Sequence, residues 1–415
     1  MSSGLDSTKN ETEVHNVVLQ LERHRRKLLC FLTSVTDKSK RKEKMLRFDR
    51  RLIHHFDWVM LLMLLLVSAM ALTNLYSSTW NGTGAVSTVL LKQSYLFCAG
   101  LVMIFVLMVV DYGELETFGY VLYIGIVLLL LYTNFFVHTT INGSQRWINL
   151  GFFRLQPSEP AKLILVLVLA SCYSKKEVDN GYRLRDLIMP GALTAIPFVL
   201  ILIQPDLGTA LMLGILFVSM TAFVKLRWST VGILGAFGAA GGFIGWKFLL
   251  KDYQRRRIET FLNPEGDPMN HGYQIMQSKI AVGSGRIFGK GFMEGTQGHL
   301  HFLPERHTDF AFSVWGEEWG FVGTLFFLSC YFFLLLWGIN IAMTARDKFG
   351  VLLAFGLVML IFWQAVINLF MIMGFLPVVG IPLPLFSYGG SSLLTTLLAV
   401  GILMNIRMRR FQNQQ

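Results

Sequence analysis

The chain has 415 residues, of which 53% are hydrophobic and 15% charged, with 34 Phe and a formal net charge of +11. Soluble globular proteins carry about 25% charged residues, so this composition excludes a soluble fold and points to a polytopic membrane protein. The cysteines Cys30, Cys98, Cys172 and Cys330 give no disulfide framework, because three sit in apolar runs and Cys30 in a basic tail.

Residues 1–50 form a basic cytoplasmic extension, and no secretory signal peptide is evident because the first apolar run begins only after them. Within the extension Val17, Val18, Leu19, Leu21, Leu28, Leu29, Phe31 and Leu32 interleave with Glu22, Arg23, Arg25, Arg26 and Lys27, the pattern of a basic amphipathic helix at a membrane surface. Charge-free stretches then follow at 58–91, 93–110, 117–145, 163–174, 187–205, 207–224, 228–246, 319–345 and 349–406. About 20 apolar residues cross a bilayer as a helix. The last stretch has room for two spans around a hinge from Gly374 to Gly390, which makes ten transmembrane helices and an all-α fold. Twelve residues at 163–174 cover only about 18 Å, so that helix is expected to extend back through Lys162 and Glu159. Pro157 and Pro160 suit its first turn, where a missing N–H costs nothing.

Basic residues set the orientation. Thirteen Lys and Arg precede residue 52, and Lys175, Lys176, Arg183, Arg185, Lys225, Arg227, Arg346, Lys348, Arg407, Arg409 and Arg410 fall on the same side as they do. By the positive-inside rule both termini are cytoplasmic, so much of the positive charge is a topology signal and needs no nucleic acid to explain it. The polar passage 251–309 then becomes a large extracytoplasmic loop between helices 7 and 8, and residues 411–415 a cytoplasmic tail.

Four unusual segments meet on the outer face: Asn142 to Lys162, Gln204 to Thr209, the 251–309 loop, and Pro377 to Ser392. Charges within spans are expensive and face a cavity or each other, and broken Gly/Pro backbone at membrane depth needs protein or water around it. Together the segments describe an outward-opening polar cavity. Asp309 is either a general base in that cavity or the N-cap of a helix beginning at Phe310, and the residues alone leave both open. Lys162 and Glu159, three apart on one helical face, are either a diphosphate-binding pair or a snorkelling lysine with its ion-pair partner. Asp206 reads first as a helix cap and only then as a cavity residue. Arg146 and Arg154 are loop cations, and Arg255, Arg256 and Arg257 suit lipid headgroups. The segment from Ser387 to Ser392 either offers backbone N–H groups to a phosphate or sugar or is a plain helix break. His299, His301 and His307 lack the spacing of a metal site.

QRWINLGFFRLQPSEPAKL, QPDLGTALM, RIETFLNPEGDPMNHGYQIMQSKIAVGSG, GKGFMEGTQGHLHFLPERHTDF and LPVVGIPLPLFSYGGSS stand in order between residues 145 and 392. Together they resemble the signature of the SEDS family (shape, elongation, division and sporulation proteins), over roughly residues 50–408. ERHTDF and PVVGIPLPLFSYGG are more similar to its elongation branch than to its division branch. Residues 1–45 have no counterpart in a typical member, and GSGR at 283–286 departs from the more usual GSGG. The resemblance implies a domain over 51–410 in the bacterial cytoplasmic membrane that polymerises lipid II into glycan. Its implied partners are a class B penicillin-binding protein and other elongation-complex proteins. It makes Asp309 catalytic and places Lys162, Glu159, Arg146, Gln156, Asp206, Glu305, His307, Thr308, Ser387, Tyr388, Gly389 and Gly390 around the substrate. No organic cofactor is expected. A divalent cation (Mg or Mn) held by Asp309 and diphosphate oxygens is compatible with the residues. A lipid II flippase or a non-catalytic scaffold are the other classes to separate. Against the flippase, the unusual residues crowd the outer face and no inverted repeat is visible.

Overall fold

In a computed structural model of the chain, the residues described are 55–80, 86–137, 146–149, 151, 154–176, 181–244, 247, 252–263, 271–299, 302–303 and 305–411. The amphipathic segment of the N-terminal extension lies outside them. Three long helices open the fold, α1 (Trp58–Thr79), α2 (Thr88–Val109) and α3 (Tyr112–Phe136). A two-residue antiparallel ribbon follows, β1 (Ile148–Asn149) against β2 (Arg154–Leu155), with Ile148 opposite Leu155. Next come α4 (Ser158–Ser174), a 3-10 turn (Leu184–Leu187) running into α5 (Ile188–Ile203), α6 (Leu207–Phe223) and α7 (Trp228–Ile244). The polar passage carries α8 (Asp252–Leu262), α9 (His271–Ser284) and the short α10 (Thr296–His299), and the chain closes with α11 (Ala311–Met343), α12 (Lys348–Ile372) and α13 (Gly390–Met408).

Among the described residues, seven helices are long and apolar enough to cross a membrane: α1, α2, α3, the 3-10 turn with α5, α11, α12 and α13. The protein is therefore a multi-pass helical membrane protein. Burial sorts these helices into layers. In α13 and α12, 83% and 61% of the apolar window is buried, against 22% in α2 and α3, so the last two helices form the centre and α2 and α3 the rim. A helix apolar on all sides and buried belongs in a core. Around that centre α4 packs against α3, α5, α6, α12 and α13. Helix α4 begins at Ser158, so Glu159 and Lys162 lie in its first two turns, as the short charge-free stretch requires.

One expectation needs correction. The passage 251–309 is not simply a loop. Its helix α9 packs on α11 and α12, burying Ile275, Ser278 and Ala281, and Ser278 Oγ meets Ser313 Oγ at 2.8 Å and donates to the Ile372 carbonyl at 2.9 Å. The helix expected to begin at Phe310 does so, running from Ala311 with Phe310 as its cap, and it takes Glu317 and Glu318 inside, both buried. Polar partners make that tolerable. Glu317 Oε1 accepts from Lys290 Nζ at 2.6 Å, Thr296 N at 2.8 Å and Gln297 N at 3.1 Å, and Glu318 accepts from Ser77 Oγ of α1.

Helix α11 is broken at Gly320 (φ 62°, ψ −159°), a left-handed backbone for which glycine is suited. Breaking a helix frees amides and carbonyls that cannot stay unpaired at membrane depth. The segment 286–291 takes them. Phe321 N and Val322 N donate to the carbonyls of Arg286 and Ile287 (2.9 and 3.0 Å), while Lys290 N and Gly291 N donate to those of Glu317 and Glu318 (3.0 and 3.1 Å). Contact is so close that a Cβ on Gly289 would lie 2.0 Å from the Glu318 carbonyl.

Candidate active site

Asp309 stands in the turn 305–310 that leads into α11. The helix is capped by Phe310 without any side-chain hydrogen bond, so the capping role open to Asp309 in the sequence is not the one it has. Its backbone carbonyl accepts from Asn368 Nδ2 of α12 at 2.9 Å, and the same nitrogen donates to the Ile381 carbonyl at 2.8 Å. One buried amide thus fixes the catalytic-loop candidate to the segment 377–389. Beside the carboxylate lies Gly380 (φ 77°), on which a Cβ would sit 3.7 Å from Asp309 Oδ2. The carboxyl is pushed up to about 6, chiefly by desolvation and then by the charge of Glu305, with Arg257 opposing and Asp206 adding to the rise. Part of the residue still reaches solvent. A carboxylate with a raised pKa and an open side is fitted to take a proton near neutral pH.

Asp206 stands just before Gly208, which packs on Val379 of the same 378–381 segment, and its charge is felt by Asp309. It caps α6, accepting from Thr209 N at 3.1 Å and Thr209 Oγ1 at 3.0 Å, which bears out the capping reading. It also holds site residues: Oδ2 accepts from Gln156 Nε2 at 3.2 Å and pairs with Arg146 Nη1 at 3.4 Å. Arg146 further donates to the carbonyls of Gln204 (3.1 Å) and Pro205 (2.7 Å), so it is a clamp on the α5–α6 turn and not a solvated loop cation. Gln156 N donates to Ser391 Oγ, which in turn donates to the Arg154 carbonyl, tying the β-ribbon to the start of α13. Gly208 presses against this site, since a Cβ there would stand 2.8 Å from the Val379 carbonyl.

Lys162 Nζ donates to Glu159 Oε1 at 2.7 Å, with only 2% and 5% of the two side chains exposed. Such burial rules out a snorkelling lysine. Glu159 Oε2 is buried without a hydrogen-bond partner. Among the described residues no hydrogen bond or ion pair joins this pair to Asp309; the two stand at separate places on the α4 and α11 ends.

Glu305 is exposed with φ 53°, and Leu385 is buried with φ 65°. Non-glycine residues in this region cost about 1–3 kcal/mol each and gather at functional sites. Thr308 Oγ1 donates to Glu305 Oε2 at 2.9 Å. Tyr388 N donates to the His307 carbonyl at 2.8 Å, and their rings meet edge-on at 6.0 Å. Burial holds the His307 imidazolium below its usual range, with Glu305 opposing and Arg306 adding. The backbone of 387–389 is largely committed: Ser387 O accepts from Gln93 Nε2 (3.3 Å), Gly389 N faces Gln93 Oε1 (3.5 Å), and Ser387 Oγ accepts from Leu383 N. The amides of Tyr388 and Gly389 therefore build the turn, while Gly390 opens α13.

Two residues of this site escape a reading of the sequence. Asn368 is one of three side-chain amides, with Gln364 and Asn405, in a 58-residue charge-free stretch, and nothing in the sequence singles it out from the other two. Arg257 was grouped with a lipid-binding trio, yet its Nη1 donates to the Val378 carbonyl at 3.2 Å, two residues from the glycine beside Asp309. Only the fold of α8 brings it there.

The pattern of the family described as "Cell cycle protein", FTSW_RODA_SPOVE, matches residues 53–412. The chain belongs to this family. It is 38% identical over 356 residues to the peptidoglycan glycosyltransferase MrdB of Escherichia coli (strain K12), covering 86% of this chain and 94% of that one. It is 33% identical over 432 residues to the peptidoglycan glycosyltransferase RodA of Treponema pallidum (strain Nichols), covering 86% and 99%. A solved structure described as structural coordination of polymerization and crosslinking by a peptidoglycan synthase complex is similar with a TM-score of 0.73 and 32% identity, covering 86% of this chain and 99% of that one. The crystal structure of the rod shape determining protein RodA of Thermus thermophilus gives a TM-score of 0.64 at 30% identity, covering 86% and 98%. The match begins at residue 53 and thus leaves the basic extension outside the family domain.

Proposed function

We propose that this protein is a peptidoglycan glycosyltransferase that polymerises lipid II into β-1,4 glycan on the outer face of the bacterial cytoplasmic membrane during elongation, with Asp309 as general base. The observation that carries the assignment is the Asp309 carboxylate itself: free of any capping bond, lifted to about 6, and packed beside Gly380 in a strained turn. The 4-hydroxyl of an incoming lipid II sugar gives its proton to Asp309 as the oxygen attacks the anomeric carbon of the growing chain. The bond to polyprenyl diphosphate breaks on the opposite face, and inversion turns an α-linked donor into a β-linked product.

In this reading the Asp206, Gln156 and Arg146 cluster contacts the substrate near Asp309, and the Glu159–Lys162 pair supplies a buried cation toward the donor diphosphate. Among the described residues no group of three or more His, Cys, Asp or Glu is placed to hold a metal ion. A magnesium or manganese ion, were one used, would take one oxygen of Asp309 beside diphosphate oxygens and water. Such an ion, when bound, neutralises charge on the leaving group. Ten spans, cytoplasmic termini and an external 251–309 passage follow from the charge distribution, and the working partner is a class B penicillin-binding protein. Purified protein given lipid II decides the function: glycan chains support the enzyme, lipid movement without polymer means a flippase, and neither means a scaffold.

A further inference from the structure

A cavity of about 200 Å³ opens at the end of the bundle away from Asp309, lined by Lys176 after α4, Tyr182, Phe223 at the end of α6, and Lys348, Val351 and Leu352 in the first turns of α12. Lys348 and Asn368 are twenty residues apart on α12, ~30 Å along its axis, so the cavity is distinct from the proposed active site.

Its chemistry is divided. Lys348 Nζ donates to the Lys176 carbonyl at 3.1 Å, and Lys176 Nζ pairs with Asp186 Oδ1 at 2.5 Å. Tyr182 closes the wall, its OH donating to the Lys176 carbonyl at 2.9 Å and its N to the Lys225 carbonyl at 3.1 Å. The acids nearby are occupied. Asp347 accepts from Tyr112 OH (2.6 Å) and Gly350 N, and Glu116 accepts from Ser174 Oγ. The cations Lys175 and Arg346 lie over the rings of Tyr120 and Tyr112, and Lys225 and Arg227 flank Tyr182, so the neighbourhood is net positive. Against this rim the floor is apolar, and Phe223, 47% exposed and stacked on Phe355 at 4.0 Å, carries the apolar surface from the cavity out to the lipid-facing side.

We propose that this cavity binds the glycerophosphate headgroup of an anionic phospholipid, its phosphate between Lys176 and Lys348 and an acyl chain along Phe223. Basic pockets between transmembrane helices take anionic headgroups in this way, and the volume falls below the ~300–1,000 Å³ of drug-sized sites, in the range of a headgroup. A lipid there bridges the ends of α4, α6 and α12, the helices that carry Lys162, Asp206 and Asn368. The soluble alternative with the same chemistry is free phosphate, and the apolar exit along Phe223 favours the lipid.

Full-length protein in neutral detergent is titrated with phosphatidylglycerol, phosphatidylcholine of the same chains, or inorganic phosphate, reading retained lipid by native mass spectrometry and the unfolding temperature. Phosphatidylglycerol alone should be retained and stabilising. The Lys176→Gln/Lys348→Gln double variant should bind it about thirtyfold more weakly, since two charges at a membrane surface contribute ~2 kcal/mol. Lys348→Gln alone leaves the Lys176–Asp186 pair in place and should weaken binding about fivefold, which keeps the test open if the double variant fails to fold. Equal retention of the two lipids, or wild-type retention of phosphatidylglycerol by either variant, overturns the site. Stabilisation by inorganic phosphate equal to that by phosphatidylglycerol overturns the lipid assignment.

Discussion

Replacing Asp309 by Asn separates chemistry from architecture, because Asp309 is tied to Asn368 through its backbone carbonyl and not through its carboxylate. The helix behind it needs no cap from this side chain, and removing a desolvated charge does not cost stability, so the variant should fold, insert and bind its partner. A positioned base contributes typically 10²–10⁴-fold, which is ~2.7–5.4 kcal/mol of barrier, and lipid II polymerisation should fall by that factor. The wild-type pH profile gives an independent check. The carboxyl is raised from 3.8 to about 6, and the active form is the ionised one, so activity is lost as pH falls through about 6. The ionised fraction drops from about 97% at pH 7.5 to about 9% at pH 5, a tenfold fall in rate. The same shift makes the folded state favour the protonated carboxyl between those values, so Asp309 does not itself drive acid unfolding there, and the limb reports on turnover. Polymerisation followed on gels with fluorescent lipid II, across pH 5–8, measures both. An Asp309→Asn protein keeping more than a tenth of wild-type activity, or an acid limb unchanged in that variant, refutes the base assignment.

Lys162→Met should abolish polymerisation and also destabilise the fold by about 3–5 kcal/mol, because it leaves Glu159 charged and buried. Adding Glu159→Gln should restore thermal stability without restoring glycan synthesis, and recovery of both would make the pair purely structural. Arg286 has φ 51°, a left-handed backbone that glycine adopts without strain, so Arg286→Gly should raise stability by about 1 kcal/mol in thermal unfolding; a lower unfolding temperature would contradict the strain. Cysteines placed singly at Gln297 and Gln412 in a protein cleared of native cysteines should differ in labelling by an impermeant reagent. Position 297 should react from outside and 412 should not, and the reverse pattern would invert the topology.

Hydropathy made the long helices legible, and the shortness of 163–174 made α4's polar start legible, because both depend only on length and on where charges fall. Asp206 as a cap was readable from its place before Leu207. The start of α11 near Phe310 was readable as well, but the partners that let Glu317 and Glu318 lie buried inside it were not, since Lys290, Thr296, Gln297 and Ser77 come from up to 241 residues away. Arg257 and Asn368 were hidden for the same reason, since each acts on a backbone carbonyl of another segment and carbonyls leave no mark in a sequence. The committed amides of Tyr388 and Gly389 were likewise invisible, being taken by His307 and Gln93 from two distant parts of the chain.

The break at Gly320 has a bearing on biogenesis. The amides of Phe321 and Val322 find their acceptors on Arg286 and Ile287, residues that leave the ribosome earlier. Without those carbonyls the part of α11 beyond the break would sit in hydrocarbon with bare donors, each costing several kcal/mol. Because the 286–291 strip is made first, its acceptors exist before the helix that needs them, and the order of synthesis suits entry of the two segments as a unit.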